Sequence, residues 1–388
     1  MCNKIVSILK KTKKNGFSWF FNRLLQEFRT PETPIGKKLK PLNKAFYKAL
    51  SIFNWLKPKA SLYPDTLCVF YDLEVSPITF DLCWVLCLAD LYRQQQALKY
   101  VRIIFVPGPE DGLRKEMVDY ETLVNPEARY WRLYHLLYPL TRLLPTCTGF
   151  THCSSRQEAE WIKKNIDARF YPINYHPMFP TPHTPQAIYK TTTSEFMALR
   201  ATKQALLYLQ SWLKSKSLQR KTITVTLREY EYTPKRNSNI AEWAKFLQSI
   251  DPTQYFIVIV PDIDHAMEPP HPSLSSFTHF TEACWNVELR AALYHSSYLN
   301  LGINNGPMGL CWMNSACRYI LFKLITEEVP QANTESFRKL GCVPNQTPAF
   351  ATKYQKWVWQ EDKADIIQKE FEVMCSLIDA ELDYRKDS

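Results

Sequence analysis

Several common enzyme signatures are absent from the chain. It has no GxGxxG run, no GxxxxGK[ST] and no GxSxG. These absences count against a dinucleotide oxidoreductase, a P-loop nucleotide enzyme and an α/β-hydrolase with its nucleophile elbow. No cysteine pair has CxxC spacing, and the eleven cysteines are odd in number and mostly sit in apolar runs. That usage points to reduced core thiols of a cytoplasmic protein rather than to a disulfide framework or a zinc site. Apolar runs fall short of the roughly 18 residues needed to cross a bilayer, and residues 5–9 are too short for a secretory core, so no export signal is expected. Glycine is scarce, at 9 residues, whereas 26 prolines and 14% aromatics foretell sharp turns and large buried rings.

Acidic residues are nearly missing from one region. Residues 1–60 carry fourteen Lys or Arg against Glu27 and Glu32, so this segment bears +12 of a total of +10 and the remaining chain sums to −2. Basicity confined to one segment argues against a nucleic-acid-coating protein and for an attachment arm. Within it Phe17, Phe20, Phe21, Leu24, Leu25 and Phe28 recur at helical spacing, and after Pro41 a second stripe runs from Leu42 to Leu56. Basic amphipathic helices with aromatic faces suit the headgroup region of an anionic cytoplasmic leaflet, so the arm is expected to bind membrane or, failing that, to pack on the globular body.

At 388 residues the chain is long enough for two domains. Strand-like apolar runs at 66–71, 101–106, 149–153 and 170–175 alternate with helical stretches, the first helix being expected at Ser76 and Pro77. A second series follows at 222–227, 255–260, 298–303 and 318–323. Such alternation predicts an α/β fold with two Rossmann-like domains built on parallel sheets. We divide the chain into an amphipathic arm at 1–62, an N-terminal domain at 63–178, a Pro-rich linker and helix at 179–220, a C-terminal domain at 221–360 and a terminal helix at 361–388.

The most informative stretch is 298–313, YLNLGINNGPMGLCWM. An apolar strand enters the turn Asn304, Asn305, Gly306, and Pro307 then stands where a helix would start. A helix N-terminus with a glycine before it would stabilise a phosphate. Because ligands of open parallel sheets bind beyond the carboxyl ends of the strands, those ends supply the other candidates. In the second half they are Arg228, Asp262 and Lys323; in the first half, Asp72, Glu74 and Asp111. A cationic site facing an acidic one fits transfer from an anionic donor to a hydroxyl deprotonated by a carboxylate. No convincing metal-ligand cluster and no cofactor motif is present.

Two Rossmann-like halves, a Pro-rich linker and the core NGPMG resemble glycosyltransferases of the GT-B fold, the motif being similar to the SGPMH-type donor motif of lipopolysaccharide heptosyltransferases. Gly309 stands where that family has His, and Asn305 where Ser is typical. The resemblance implies a nucleotide-sugar bound by the C-terminal domain with its diphosphate on the helix starting at Pro307. The turn and strand-end positions place Arg228, Asn304, Asn305, Gly306 and Met308 in that donor site, with Asp262 and Lys323 nearby. It implies no resident metal and an acceptor, a glycan or glycolipid, in the N-terminal domain, where Asp72, Glu74 or Asp111 would be the base. An enzyme of this kind would work at the cytoplasmic face of the inner membrane. Rival readings are a nucleotide-sugar epimerase of the same fold and an inactive membrane-bound scaffold.

Overall fold

The computed structural model describes residues 61–216 and 219–387. The basic arm therefore lies outside the described residues, apart from its last two. Two all-parallel sheets make up the body, in the strand orders β3-β2-β1-β4 and β10-β9-β8-β5-β6-β7. The first holds β1 Thr66–Asp72, β2 Tyr100–Val106, β3 Cys147–His152 and β4 Arg169–Tyr171. The second holds β5 Lys221–Thr226, β6 Tyr255–Val260, β7 Thr278–His279, β8 Leu299–Ile303, β9 Tyr319–Phe322 and β10 Gln355–Trp357. Central strands are buried along their whole length, as β1 and β8 are. This is why they read as unbroken apolar runs rather than alternating ones. The expected α/β class with two Rossmann-like halves is what the chain forms.

Helices cover the sheets: α1 Leu82–Gln95, α2 Pro126–Arg132, α3 Arg156–Asn165, α4 Lys203–Lys216, α5 Ile240–Ser249, α6 Val287–Ser296, the single turn α7 Gly309–Trp312 and α8 Ala364–Asp387. Good caps explain several starts. Asn125 accepts from Ala128, Ser155 from Glu158 and Asn239 from Glu242, each side chain satisfying an otherwise orphaned N–H.

Three local expectations need correction. α1 begins at Leu82 rather than at Pro77, because the intervening residues are tied over the end of β1: Ser76 N–H donates to Asp72 O at 2.8 Å and the Tyr71 hydroxyl donates to Pro77 O at 2.5 Å. The helix expected from Pro307 is only the four residues of α7, so it carries little macrodipole. β7 and β10, two and three residues long, were too short to stand out as periodic segments.

A single apolar core runs through both halves. It joins Leu82, Leu86 and Phe105 of the first domain to Tyr294, Met308, Leu310 and Tyr319 of the second through the linker residues Ile188, Phe196, Met197 and Leu199. The linker is thus a strap on the surface that buries only these side chains and is tied down by its backbone: Leu199 N–H donates to Met313 O at 2.9 Å and Arg200 N–H to Leu143 O at 2.7 Å. Above this seam the two halves part into a cleft.

Candidate functional site

The switch point of the second sheet lies between β5 and β8, where the strand order reverses. Arg228 follows one of these strands and Asn305 the other, and both line a cavity of about 240 Å³. Asp262, Gly306 and Pro307 line it too, so five of the eight donor residues expected from sequence come together. The first domain closes the cavity with Thr79, Phe80, Asp81, Trp131, Arg132 and His135.

Three guanidinium groups border this cavity: Arg132, Arg228 and Arg290. Among the described residues none of them is ion-paired with a carboxylate, although Arg290 is 4% exposed and Arg228 7%. Arg290 donates from Nε to Ala283 O at 2.7 Å. Arg132 donates to the hydroxyls of Tyr120 and Tyr230 at 3.1 and 3.2 Å. Buried charge without a carboxylate in contact is costly. Arg228 and Arg290, with the half-buried Arg132, make a field suited to an anion that Asp81 and Asp262 in the same cavity offset only in part. Asn305 accepts from Met308 N–H at 3.1 Å, while its Nδ2 is buried with no partner among the described residues. That is a donor left for a ligand oxygen.

Asp81, not among the residues expected from sequence, is the carboxylate that borders both parts of the cleft. It lines the 240 Å³ cavity and also a second one of about 650 Å³, and Thr79 is shared in the same way, whereas Asp262 lines only the smaller cavity and Glu116 only the larger. Asp81 is exposed along the cleft, while the protein packed around its carboxyl group still withdraws part of its solvation. Desolvation therefore holds its pKa above the usual carboxylate value, against the Thr79 and Trp84 hydrogen bonds and the Arg114 charge that lower it. The larger cavity is lined by rings, among them Trp84, Tyr120, Tyr189, Tyr232 and Trp312, together with Arg114 and Arg236.

The three carboxylates expected to act as the base lie elsewhere. Asp72 is 2% exposed and fills the switch point of the first sheet, between β1 and β4. Arg156 donates to it at 2.7 and 3.0 Å and the Tyr175 hydroxyl at 2.5 Å. Glu74 pairs with the same Arg156 at 3.0 Å. Asp111 sits in a tight exposed turn at φ 47°, where its carbonyl accepts from the Tyr130 hydroxyl. None of the three lines either cavity.

Among the donor residues, three serve the fold. Asn304 Nδ2 donates to Leu324 O at 2.8 Å. Met308 is fully buried against Gly302. Lys323 pairs with Glu361 at 3.1 Å and donates to Asn237 O at 3.3 Å. Asp262 accepts from Ile263 and Glu229 N–H groups at 2.8 and 3.2 Å, and burial raises its pKa. Gly306 does give close approach, though to protein: a Cβ there would stand 3.0 Å from the Phe80 ring of the opposite domain. The described residues contain no group of three or more His, Cys, Asp or Glu placed to hold a metal. The ten described cysteines are free.

No protein-family model matches the sequence, and no curated protein matches it. Solved structures similar in fold include a glycosyl transferase family 9 protein from Veillonella parvula, at 9% identity and TM-score 0.39 over 68% of this chain and 82% of that one. Another is the E. coli ADP-heptose lipopolysaccharide heptosyltransferase II, at 10% identity and TM-score 0.41 over 82% and 99%. A third is the wall teichoic acid polymerase TagF, at 11% identity and TM-score 0.30 over 90% and 93%. The first two neighbours are glycosyltransferases and the third is a wall teichoic acid polymerase; the chemistry argued below rests on the cleft of this chain.

Proposed function

We propose that the protein is a glycosyltransferase that moves a sugar from a nucleotide-sugar to a glycan or glycolipid hydroxyl. The observation that carries this reading is that a cationic cavity and a larger, ring-lined cavity meet at one under-solvated carboxylate, Asp81. In the smaller cavity Arg132, Arg290 and Asn305 Nδ2 would receive the donor diphosphate, with Arg228 adding to the field. In the larger one aromatic faces would stack on the acceptor's sugar rings. Asp81 would take the proton of the acceptor hydroxyl as its oxygen bonds to the anomeric carbon. The bond from that carbon to the diphosphate breaks, and the charge left on the diphosphate is held by the guanidinium groups.

The transfer replaces one oxygen by another on opposite faces of the sugar, and so inverts its configuration. It needs no resident metal. A second cavity reaching the base favours transfer over epimerisation, which requires no acceptor. Attachment to the cytoplasmic face of the inner membrane through residues 1–60 belongs to the same proposal. No helix among the described residues is long and apolar enough to cross a membrane.

A thermal-shift screen against UDP, GDP, ADP, CMP and their sugars tests this reading. Ligand at about a hundred times its dissociation constant adds about 2.7 kcal/mol to the folded state. We expect one nucleotide family to raise the melting temperature, the shift to be cut by about half or more in Arg290→Ala, and to vanish in Gly306→Trp. Folded protein that responds to none of them contradicts the proposal and favours an inactive scaffold.

A further inference from the structure

Arg228, expected from sequence to grip a phosphate, has spent its fork on its own chain. One terminal nitrogen donates to Thr233 O at 3.2 Å and to Asn237 Oδ1; the other donates to Tyr232 O at 2.7 Å and Thr233 Oγ1 at 3.1 Å. All four acceptors belong to the segment 229–238. Asn237 completes the arrangement by accepting from Tyr230 N–H at 3.1 Å and donating to Tyr230 O at 3.2 Å. Ser238 closes the base: its hydroxyl accepts from Arg228 N–H and its own N–H donates to Arg228 O, both at 2.9 Å. Thr233 is held at φ 58°, a conformation that a branched residue adopts only when its surroundings impose it.

The segment so folded has two faces. Tyr230 looks into the smaller cavity, while Tyr232, Thr233 and Arg236 look into the larger. Its outer edge meets the first domain, where the Tyr230 hydroxyl accepts from Arg132 and the Tyr232 ring lies edge-on to Tyr120 at 5.2 Å. Burial, and then the charge of Arg236, lower the Arg228 pKa to about 10, so the group is still charged at neutral pH while it does this.

We infer that Arg228 is a positioning residue, whose guanidinium folds segment 229–238 into the wall between the donor and acceptor cavities. Through this wall the donor domain shapes both cavities, and Arg228 touches the donor with its field rather than with hydrogen bonds. The inference deepens the transferase proposal and rests on it for the identity of the two ligands.

The test compares Arg228→Ala, Arg228→Lys and Asn237→Ala, each confirmed as folded by circular dichroism. Asn237 lines neither cavity, and lysine keeps the charge of Arg228 while losing its planar fork. Two quantities are read: hydrogen exchange of the 229–238 backbone in the free protein, and calorimetric affinity for whichever of UDP, GDP, ADP or CDP binds the wild type. A positioning role predicts faster exchange in all three variants and a weakening of about tenfold in Arg228→Lys and Asn237→Ala, the loss that follows when one charge-assisted contact is misplaced, with Arg228→Ala losing more because the charge goes as well. Normal exchange and affinity in Asn237→Ala, with affinity largely retained by Arg228→Lys and lost in Arg228→Ala, would instead make Arg228 a direct phosphate contact and overturn the inference. Unchanged values in all three overturn it as well. A wild type that binds no nucleoside diphosphate defeats the transferase proposal separately, because the exchange measurement needs no ligand and still decides whether Arg228 builds the wall.

Discussion

Two carboxylates nine residues apart, Asp72 and Asp81, meet opposite fates. Asp72 stands at the carboxyl end of β1, where open parallel sheets place their ligands, and Arg156, Glu74 and Tyr175 occupy that crevice in a ligand's stead. Asp81 stands at the start of α1, beyond a tied-down loop, and no cation lies within ion-pair distance of it among the described residues. The first is neutralised and buried; the second is un-neutralised and exposed to two cavities, with its pKa raised because the surrounding protein disfavours its charged form. The oxygens of Asp72 are taken up by Arg156 and Tyr175, whereas a carboxylate short of solvation holds its proton more tightly and is the better base once ionised.

The strongest way to break the contrast is Asp81→Asn. It should lower the transfer rate by about 10²–10⁴-fold, the usual worth of a general base. Its melting temperature at neutral pH should stay equal or rise. The folded-state pKa of Asp81 lies above its unfolded value, so any stabilisation from this group is present at low pH and is lost as pH rises through the folded pKa. Asparagine removes that penalty. For the same reason the wild-type rate should fall on the acid side through a pKa above the usual carboxylate range, and the pH profile measures this limb.

Asp72→Ala should do the reverse. Stripping one partner from a buried ion pair costs about 3–5 kcal/mol of stability, read by denaturant unfolding, while nucleotide affinity in the remaining folded protein holds. If instead Asp72→Ala folds normally and is inactive, the assignment of roles to the two residues is wrong. A smaller effect is expected at the other wall of the cleft: Arg290→Ala should weaken nucleotide binding by roughly ten- to a hundredfold, since hydrogen bonds to charged groups are worth about 1.5–3 kcal/mol. Asp111→Asn, which tolerates the left-handed backbone at that turn, should change neither rate nor stability.

Much of this architecture was legible beforehand, because buried parallel strands announce themselves as unbroken apolar runs. β1, β2, β6 and β8 were found that way, and with them the turn at Asn305, Gly306 and Pro307. The switch-point rule then located half of the cleft. In the other half it points to Asp72, whose pairing with Arg156 of α3, 84 residues further along the chain, no local pattern marks. Asp81 was missed for the complementary reason. Its neighbourhood read as a helix begun at Pro77, and only the hydrogen bonds that hold residues 76–80 over the strand end move the helix start to Asp81. Arg132 and Arg290 lie within helical stretches, where an arginine reads as surface charge until the opposite domain closes over it.

The central claim is best tested by a crystal structure of the protein with the nucleoside diphosphate selected in the thermal screen. The diphosphate should lie in the smaller cavity, hydrogen-bonded to Arg132, Arg290 and Asn305 Nδ2, with its terminal phosphate toward Asp81 and the larger cavity open beyond. A nucleotide seated among Trp84, Tyr189 and Trp312 in the larger cavity, or bound where Asp81 faces neither phosphate nor acceptor space, would contradict it.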